Sequence, residues 1–489
     1  MKTFQKILKG TSLLSGSEAV TYGCSLARNI ILARFLGKAD FGVAATLGMI
    51  ISVFELASKM ALGQQVVQSK YGDDPAFVSS VQFTHLALGT VSTLLILAFS
   101  WPLAHFLSGP QYLRSIIILA FVPFINGLTN LDLYRYARRF SFGPLVVTEI
   151  VPQVAVTLAA WPIAALFRDY RAVLCLLLGK AVLSASMTHV MAERRFSPRF
   201  DAHWLRESLS FGWPLLLSGF IQFGNFQGDS LVIAAAYPMA KLGEYSVAMT
   251  LAMAPGLMIL RIGGSVSLPM LAEVQSDPTR FAFRYSQYAQ TMALIGCSAM
   301  LCMLFCGEQV VVLLFGAKYA GVGRLACWLT GAQALRILRG ATVAAAMAKG
   351  DTVNNLVSSS WRLSGLLVAI AVGLLKGSLT WFAVAGFVGE VAALGASVVR
   401  LNSKHSITPS RTLVPALWGA ISVILAGALK SALSINPYSY VNWFILFAFL
   451  GLTAGSFMAF SPELRSGLSR FQEYAKGKLG LPFLAKAEH

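Results

Sequence analysis

The chain has 489 residues, of which 56% are hydrophobic and 12% charged, with a mean hydropathy of +0.66. A soluble domain carries about twice that charged fraction, which excludes an ordinary water-soluble enzyme. The formal net charge of +18 would suggest nucleic acid in a soluble protein, but here Lys and Arg belong to cytoplasmic loops that orient helices.

Apolar runs of about 20 residues recur along the whole length, enough to cross a bilayer core as helices. They lack the ten-residue alternation of an outer-membrane barrel. The fold class is therefore an all-α polytopic membrane protein. The basic start, Met1 to Lys9, is followed by a run containing Glu18 and Arg28 with no small-residue cleavage site. It reads as a retained first helix rather than a signal peptide.

The pattern predicts about fourteen spans. Six fall near 13–35, 43–64, 79–104, 115–133, 144–167 and 171–192; six more near 211–236, 244–268, 288–312, 325–348, 354–376 and 378–399; the last two near 413–433 and 439–460. With the N-terminus inside, roughly 22 Lys and Arg fall on the cytoplasmic side and about 9 outside. Both termini are then cytoplasmic. The six cysteines, Cys24, Cys175, Cys297, Cys302, Cys306 and Cys327, lie in apolar runs without a Cys-x-x-Cys pair, so neither a zinc site nor a disulfide framework is expected.

Three segments look interfacial. Phe4, Ile7 and Leu8 give the N-terminal tail one apolar face; Phe196, Phe200 and Trp204 recur at helical spacing among arginines; Leu464, Leu468, Phe471, Ala475 and Leu479 do the same in the tail. Basic amphipathic helices of this kind lie on anionic lipid, so membrane lipids are expected partners. No loop is long enough to hold a soluble catalytic domain, and no P-loop, metal-ligand spacing or nucleophile elbow occurs.

A repeat organises the chain. Asp229 to Gly243 is a weaker copy of Arg28 to Gly42: Phe41-Gly42 corresponds to Leu242-Gly243, and Leu36-Gly37 to Tyr237-Pro238. Six spans per copy means both copies insert the same way, a parallel repeat with its axis along the bilayer normal. The expected organisation is an N-terminal lobe at 1–192, an amphipathic linker at 193–209, a C-terminal lobe at 210–400, and two extra spans with a basic tail at 401–489. The cleft is expected between spans one, two, seven and eight. Proline at Pro123, Pro152, Pro214 and Pro255 fits helices that bend.

Charges inside spans need partners or a wet cavity, because each costs at least about 2.5–3.5 kcal/mol in hydrocarbon. Arg362 with Glu390, and Glu149 with Lys180, lie on consecutive spans and are expected structural pairs. Glu55 and Lys59 share a helix face. Arg28 and Asp229 are equivalent in the repeat, opposite in charge and roughly 10 Å below the outer face, so they are the expected outer gate pair. Lys59 and Arg261, with Arg336 and Arg339 on span ten, form a cationic group suited to phosphate, which the planar guanidinium fork binds with two oxygens at once. Glu55 and Asp229 are candidate sites for proton or sodium coupling. No cofactor is expected, and the membrane potential is a third source of drive.

Arg34-Phe-Leu-Gly-Lys-Ala-Asp-Phe-Gly42, Leu242-Gly-Glu-Tyr-Ser-Val-Ala248 and Leu268-Pro-Met-Leu-Ala-Glu-Val-Gln275 resemble motifs of Wzx-type polysaccharide flippases. These belong to the MOP superfamily, with the lipid II flippases and the MATE drug exporters. The resemblance implies a MATE-like fold and alternating-access movement of a polyprenyl-diphosphate-linked oligosaccharide to the periplasmic leaflet of a bacterial inner membrane, for exopolysaccharide or O-antigen assembly. It also makes a polysaccharide polymerase and a chain-length regulator candidate partners. Cationic residues on the first, second and eighth spans serve the lipid II flippases; Arg28, Lys59 and Arg261 look similar here, with Lys59 where an arginine is expected. Two other readings stand beside it: a MATE-type cation-coupled exporter, which calls for an acidic cavity, and a non-transporting scaffold of a polysaccharide synthase complex.

Overall fold

The computed structural model describes residues 2–59, 62–106, 109–433, 436, 438–460, 463 and 465. Among them there are only helices and connecting turns. In order these are α1 (Lys2–Phe35), α2 (Lys38–Lys59), α3 (Leu62–Gln68), α4 (Pro75–Ala98), α5 (Ser100–Phe106), α6 (Leu113–Leu119), α7 (Phe121–Gly127), α8 (Arg135–Arg138), α9 (Gly143–Phe167) and α10 (Arg171–Met191). Then come α11 (Ala202–Ala236), α12 (Met239–Ala272), α13 (Pro278–Phe315), α14 (Gly323–Ala348), α15 (Val353–Leu374), α16 (Leu379–His405), α17 (Ser410–Ala432) and α18 (Val441–Phe460).

Ten of these are long and apolar enough to cross a membrane. Pro110–Gly127 and Leu131–Arg138 meet at a 50° bend and count as an eleventh crossing if the pair is one span, where a span was expected near 115–133. Asn130 makes the corner, its side-chain oxygen accepting from the Asp132 amide at 3.1 Å while Gln82 donates to it at 2.6 Å. Helices α1, α11 and α14 have 34, 35 and 26 residues, ample length at about 1.5 Å per residue, but are too polar to count by composition. They correspond to expected spans one, seven and ten, and they carry Arg28, Asp229, and Arg336 with Arg339. Elsewhere the outward faces are those of a protein solvated by lipid: Leu158, Leu166, Leu374 and Phe444 are 73%, 77%, 80% and 76% exposed, a surface that water would not tolerate over so many helices.

The segment after α10 departs from the amphipathic helix expected at 193–209. Residues 193–201 are not helical. Pro198 has no amide to donate and biases Ser197 to extended backbone. Neighbouring elements hold the strand-like path: Asn130 donates to the Arg194 carbonyl at 2.8 Å, and the Arg199 amide donates to the Ser79 carbonyl at 3.1 Å. Asp201 then caps α11, accepting from the His203 and Trp204 amides at 2.9 and 3.3 Å, a standard helix start. Trp204 therefore sits in the first turn of α11 and packs edge-on against Tyr71 and Phe77. The N-terminal tail continues α1 without a break, though no side chain of residues 1–12 is described; the tail stripe Leu464 to Leu479 lies outside the described residues.

The chain forms two compact units. Unit 1 holds Met1–Ala254 with Leu313–Tyr319 and Leu366–Phe382; unit 2 holds Pro255–Val312, Ala320–Gly365 and Ala383–His489. Within unit 1, α1 packs on α9, α9 on α10, α4 on α7, and α2 on both α4 and α11. Both copies of the repeated turn lie in this unit. Within unit 2, a core of Leu271, Phe281, Tyr285, Leu338 and Leu401 gathers α12, α13, α14 and α16, and a second core around Leu301, Phe305, Ala426 and Leu446 ties α13 to α17 and α18.

Close helix crossings occur in both units. A Cβ at Gly89 on α4 would lie 2.6 Å from the Pro123 carbonyl and 3.2 Å from the Gly127 Cα. A Cβ at Gly296 on α13 would lie 3.0 Å from the Cα of Ala334 on α14. Gly127 follows Gly89 by the same number of residues as Ala334 follows Gly296. In both places small residues let membrane helices approach.

Candidate functional site

Two ion-pair networks of unit 1 sit at its two ends. At the end away from the repeated turns, Arg135 bonds Asp73, Asp132 and Glu193 at 3.1, 3.0 and 3.3 Å, Arg138 bonds Asp73 at 3.2 Å, and Arg139 bonds Glu193 at 2.9 Å. Burial alone would raise the Asp73 carboxyl, but the hydrogen bonds and charges of Arg135 and Arg138 outweigh it and hold the group below the usual carboxylate range. This network ties the α3–α4, α8–α9 and α10–α11 connections together.

At the opposite end the two turns meet. A Cβ at Gly42 would stand 1.9 Å from the Met239 carbonyl oxygen, and one at Gly243 2.1 Å from the Lys38 carbonyl oxygen. The starts of α2 and α12 therefore touch backbone to backbone, and only glycine allows it. Lys38 Nζ meets Glu244 Oε1 at 2.7 Å across this contact, and Lys241 reaches Glu244 Oε2 at 3.0 Å. The Leu313–Tyr319 segment lies over the first turn: Arg34 Nε donates to the Leu314 carbonyl at 2.7 Å, and Lys318 Nζ donates to the carbonyls of Arg34 and Leu36. The second turn is covered by the α15–α16 connection, where Tyr237 Oη donates to the Gly377 carbonyl at 2.6 Å.

The expected gate pair is not the one formed. Asp229 accepts from the phenol of Tyr245 at 3.1 Å, and among the described residues no ion pair joins Arg28 to Asp229. Arg28 is half-buried along α1. The charged bond across the repeat is Lys38–Glu244 instead. Sequence reasoning missed it because both residues lie at helix starts, where a charge is inexpensive and attracts no notice. The one signal was available: Gly42 opposite Gly243 is also what brings Lys38 beside Glu244.

Glu55 accepts from Asn126 Nδ2 at 2.9 Å, joining α2 to α7; the side chain of its expected partner Lys59 is outside the described residues. Glu149 is exposed on α9 and Lys180 half-buried on α10, helices that pack together. Arg261 of unit 2 is exposed on α12.

Unit 2 holds a different kind of cluster. Glu390 on α16 is fully buried, and three guanidiniums surround it: Arg336 Nε at 2.7 Å, Arg339 Nε at 3.2 Å and Arg362 Nε at 2.5 Å. Arg339 Nη1 also donates to Ser358 Oγ at 3.2 Å. Arg362 and Glu390 meet as expected of a structural pair. Arg336 and Arg339 were expected to receive a phosphate, but they turn to the same carboxylate and are 4% and 9% exposed. The reason is depth and spacing: three residues apart on α14, they share one face, and the fixed acid nearest that face is Glu390. Local packing makes this possible, because α15 and α16 cross at Gly365 and Gly389, where a Cβ would lie 2.6 Å from the Ala385 carbonyl and 2.7 Å from the Arg362 carbonyl respectively. Nearby polar groups are satisfied in the same way: Thr342, Ser397 and Asn354 bond one another in sequence. Among the described residues no group of three or more His, Cys, Asp or Glu could hold a metal ion, and all six cysteines are free thiols.

The architecture is that of the MOP-superfamily transporters. Over 91% of this chain and 99% of the other, the fold matches the lipid II flippase MurJ in an inward closed conformation, with a TM-score of 0.71 at 13% identity. A MATE-family multidrug resistance transporter in an inward-facing conformation matches with a TM-score of 0.61 at 14% identity, over 84% of this chain and 96% of that one. The chain belongs to the polysaccharide biosynthesis protein family, whose model matches residues 31–323. Its relatives include the amylovoran biosynthesis protein AmsL of Erwinia amylovora, 25% identical over 60% of this chain and 76% of that protein. The lipopolysaccharide biosynthesis protein WzxC of Escherichia coli K12 is 21% identical over 66% of each. The Wzx-type resemblance carried by the turn motifs is thereby supported.

Proposed function

We propose that the protein is a flippase that moves polyprenyl-diphosphate-linked oligosaccharide units from the cytoplasmic to the periplasmic leaflet of a bacterial inner membrane, for exopolysaccharide or O-antigen assembly, by alternating access. The observation that carries this reading is the family match across residues 31–323 on a chain with at least ten membrane-length helices. Both termini are cytoplasmic in this reading, since the arginine network of unit 1 marks the inner end of its helices by the positive-inside rule.

Arg28, Lys59 and Arg261 are the cations assigned to the diphosphate. Arg336 and Arg339 are not, because a guanidinium committed to a buried carboxylate would have to leave that carboxylate bare to bind another anion. Asp229 and Glu55 are the acids assigned to proton or sodium coupling; each holds a neutral hydrogen-bond donor in this state, Tyr245 and Asn126. A polymerase and a chain-length regulator are proposed partners at the product side.

Leaflet-resolved transport of a polyprenyl-diphosphate oligosaccharide in proteoliposomes tests the reading. Movement above that of protein-free vesicles is expected, with Arg28→Ala and Arg261→Ala each losing most of it at normal protein level. A purified, monodisperse protein that moves no such lipid, but expels cationic drugs, would replace it with the exporter reading.

A further inference from the structure

With Gly42 opposite Gly243, Lys38 falls opposite Met239 and Val43 opposite Glu244. The glycine contacts, Gly42 on Met239 and Gly243 on Lys38, are therefore the same contact made twice, as around a two-fold axis. The side chains break that symmetry. On one side stands the Lys38–Glu244 ion pair at 2.7 Å; the equivalent positions on the other side are Met239 and Val43, buried at 6% and 1% exposure.

We propose that this crossing is the outer latch of the transport route, with Lys38–Glu244 as its breakable bond and the Val43–Met239 side as the part that stays packed. This rests on the flippase reading above. This cluster and the one around Glu390 differ in a way that suits two jobs. The Glu390 carboxylate is fully buried, so its ion pairs cannot part without leaving charge in an apolar interior. The side chains of Lys38 and Glu244 are 30% and 17% exposed, so water replaces the partner as the pair opens. Glu244 is not left alone on release, since Lys241, one turn along the same helix, stays with it at 3.0 Å. The glycines add a second property. At Gly42 and Gly243 the contact is backbone to backbone, so at those two points the helix starts can separate and meet again without a rotamer change. Lys318, bonded to the carbonyls of Arg34 and Leu36, couples the latch to the Leu313–Tyr319 segment, which has to lift with it.

Thr46 reports on the latch. It lies one turn below Gly42, 1% exposed, its hydroxyl donating to the Gly42 carbonyl at 3.2 Å and standing 3.9 Å from the Met239 sulfur. In a full-length chain with the six native cysteines replaced, Thr46→Cys is labelled by an impermeant maleimide added from the periplasmic side of cells. Lys38→Ala and Lys38→Glu should speed labelling by about fivefold or more, the population shift that corresponds to roughly 1 kcal/mol. Gly42→Leu should do the same by steric wedging. Glu244→Lys combined with Lys38→Glu should restore part of the protection, limited because Lys241 then faces a lysine. Unchanged labelling in Lys38→Glu and Gly42→Leu proteins that reach the membrane and elute as the parent does would overturn the latch. The readout needs no lipid substrate: expected labelling without flipping would sink the transport reading alone, and flipping without the labelling change would sink the latch alone.

Discussion

Glu390→Gln removes one charge and almost no volume from the centre of unit 2. The parent carboxylate is fully buried and takes Arg336, Arg339 and Arg362 at 2.7, 3.2 and 2.5 Å, with side-chain exposures of 5%, 11% and 10% for the three arginines. In the variant those cations face a neutral amide in a low-dielectric interior. Breaking a buried ion pair by deleting one partner costs about 3–5 kcal/mol, and one acid here serves three bases on α14 and α15, so a loss at the upper end of that range is expected. Arg336→Met leaves Glu390 with two partners and should cost less, about 1.5–3 kcal/mol, the worth of a hydrogen bond to a charged group. The double variant Glu390→Gln, Arg336→Met should be less destabilised than the two single losses combined, because the second change removes a cation the first stranded. Heating the purified protein in detergent and following the monodisperse fraction by gel filtration measures all three. A Glu390→Gln protein within about 0.5 kcal/mol of the parent, the scatter of an ordinary surface change, together with an Arg336→Met protein that keeps its stability and loses transport, would refute the structural assignment. The arginines would then face a wet cavity.

Four further outcomes follow from the same geometry. Gly389→Leu should destabilise unit 2 nearly as much as Glu390→Gln, since its side chain would push α15 away at the Arg362 carbonyl and withdraw one of the three guanidiniums; thermal unfolding checks it. Asp351 is held below the usual carboxylate range by two hydrogen bonds from Arg400, both at 2.9 Å, and by its charge. Its contribution is present above the unfolded carboxyl value of about 3.9 and lost as pH falls through the lower folded value. Asp351→Asn should therefore melt below the parent at pH 7, by about 0.5–1 kcal/mol for a pair near the surface, and converge with it in strong acid. If one of the proposed coupling acids carries the driving ion, Asp229→Asn or Glu55→Gln should abolish the response of flipping to an imposed proton or sodium gradient in proteoliposomes while leaving lipid binding intact. Gly89→Leu should separate α4 from α7, with misassembled protein visible as loss of the monodisperse peak.

Membrane residence, helical class and the repeated turn were legible in the residues because each depends on local order: run length, hydropathy and the Leu-Gly or Tyr-Pro break between helices. The family resemblance rested on the same turns. Where expectation and structure part, the deciding quantity is which side chains face one another in three dimensions. Arg336 and Arg339 read as phosphate ligands only while Glu390, more than fifty residues further on, is taken to serve Arg362 alone; the Gly365–Gly389 crossing brings that acid within reach of all three. The bend at Asn130 and the extended run at 193–201 depend on a hydrogen bond donated by Gln82 and one accepted by the Ser79 carbonyl, both distant along the chain. Arg28 and Asp229 were paired from their equivalent register, yet register matches their depth in the membrane without fixing how far apart the two helices stand, and Asp229 accepts from the Tyr245 phenol. What composition and periodicity determine is the solvent a helix must face, because hydrophobic transfer is additive along the chain. Ion-pair choice is decided by tertiary packing, because a charge in an apolar interior takes the partner that folding places within about 4 Å, whatever its distance in sequence.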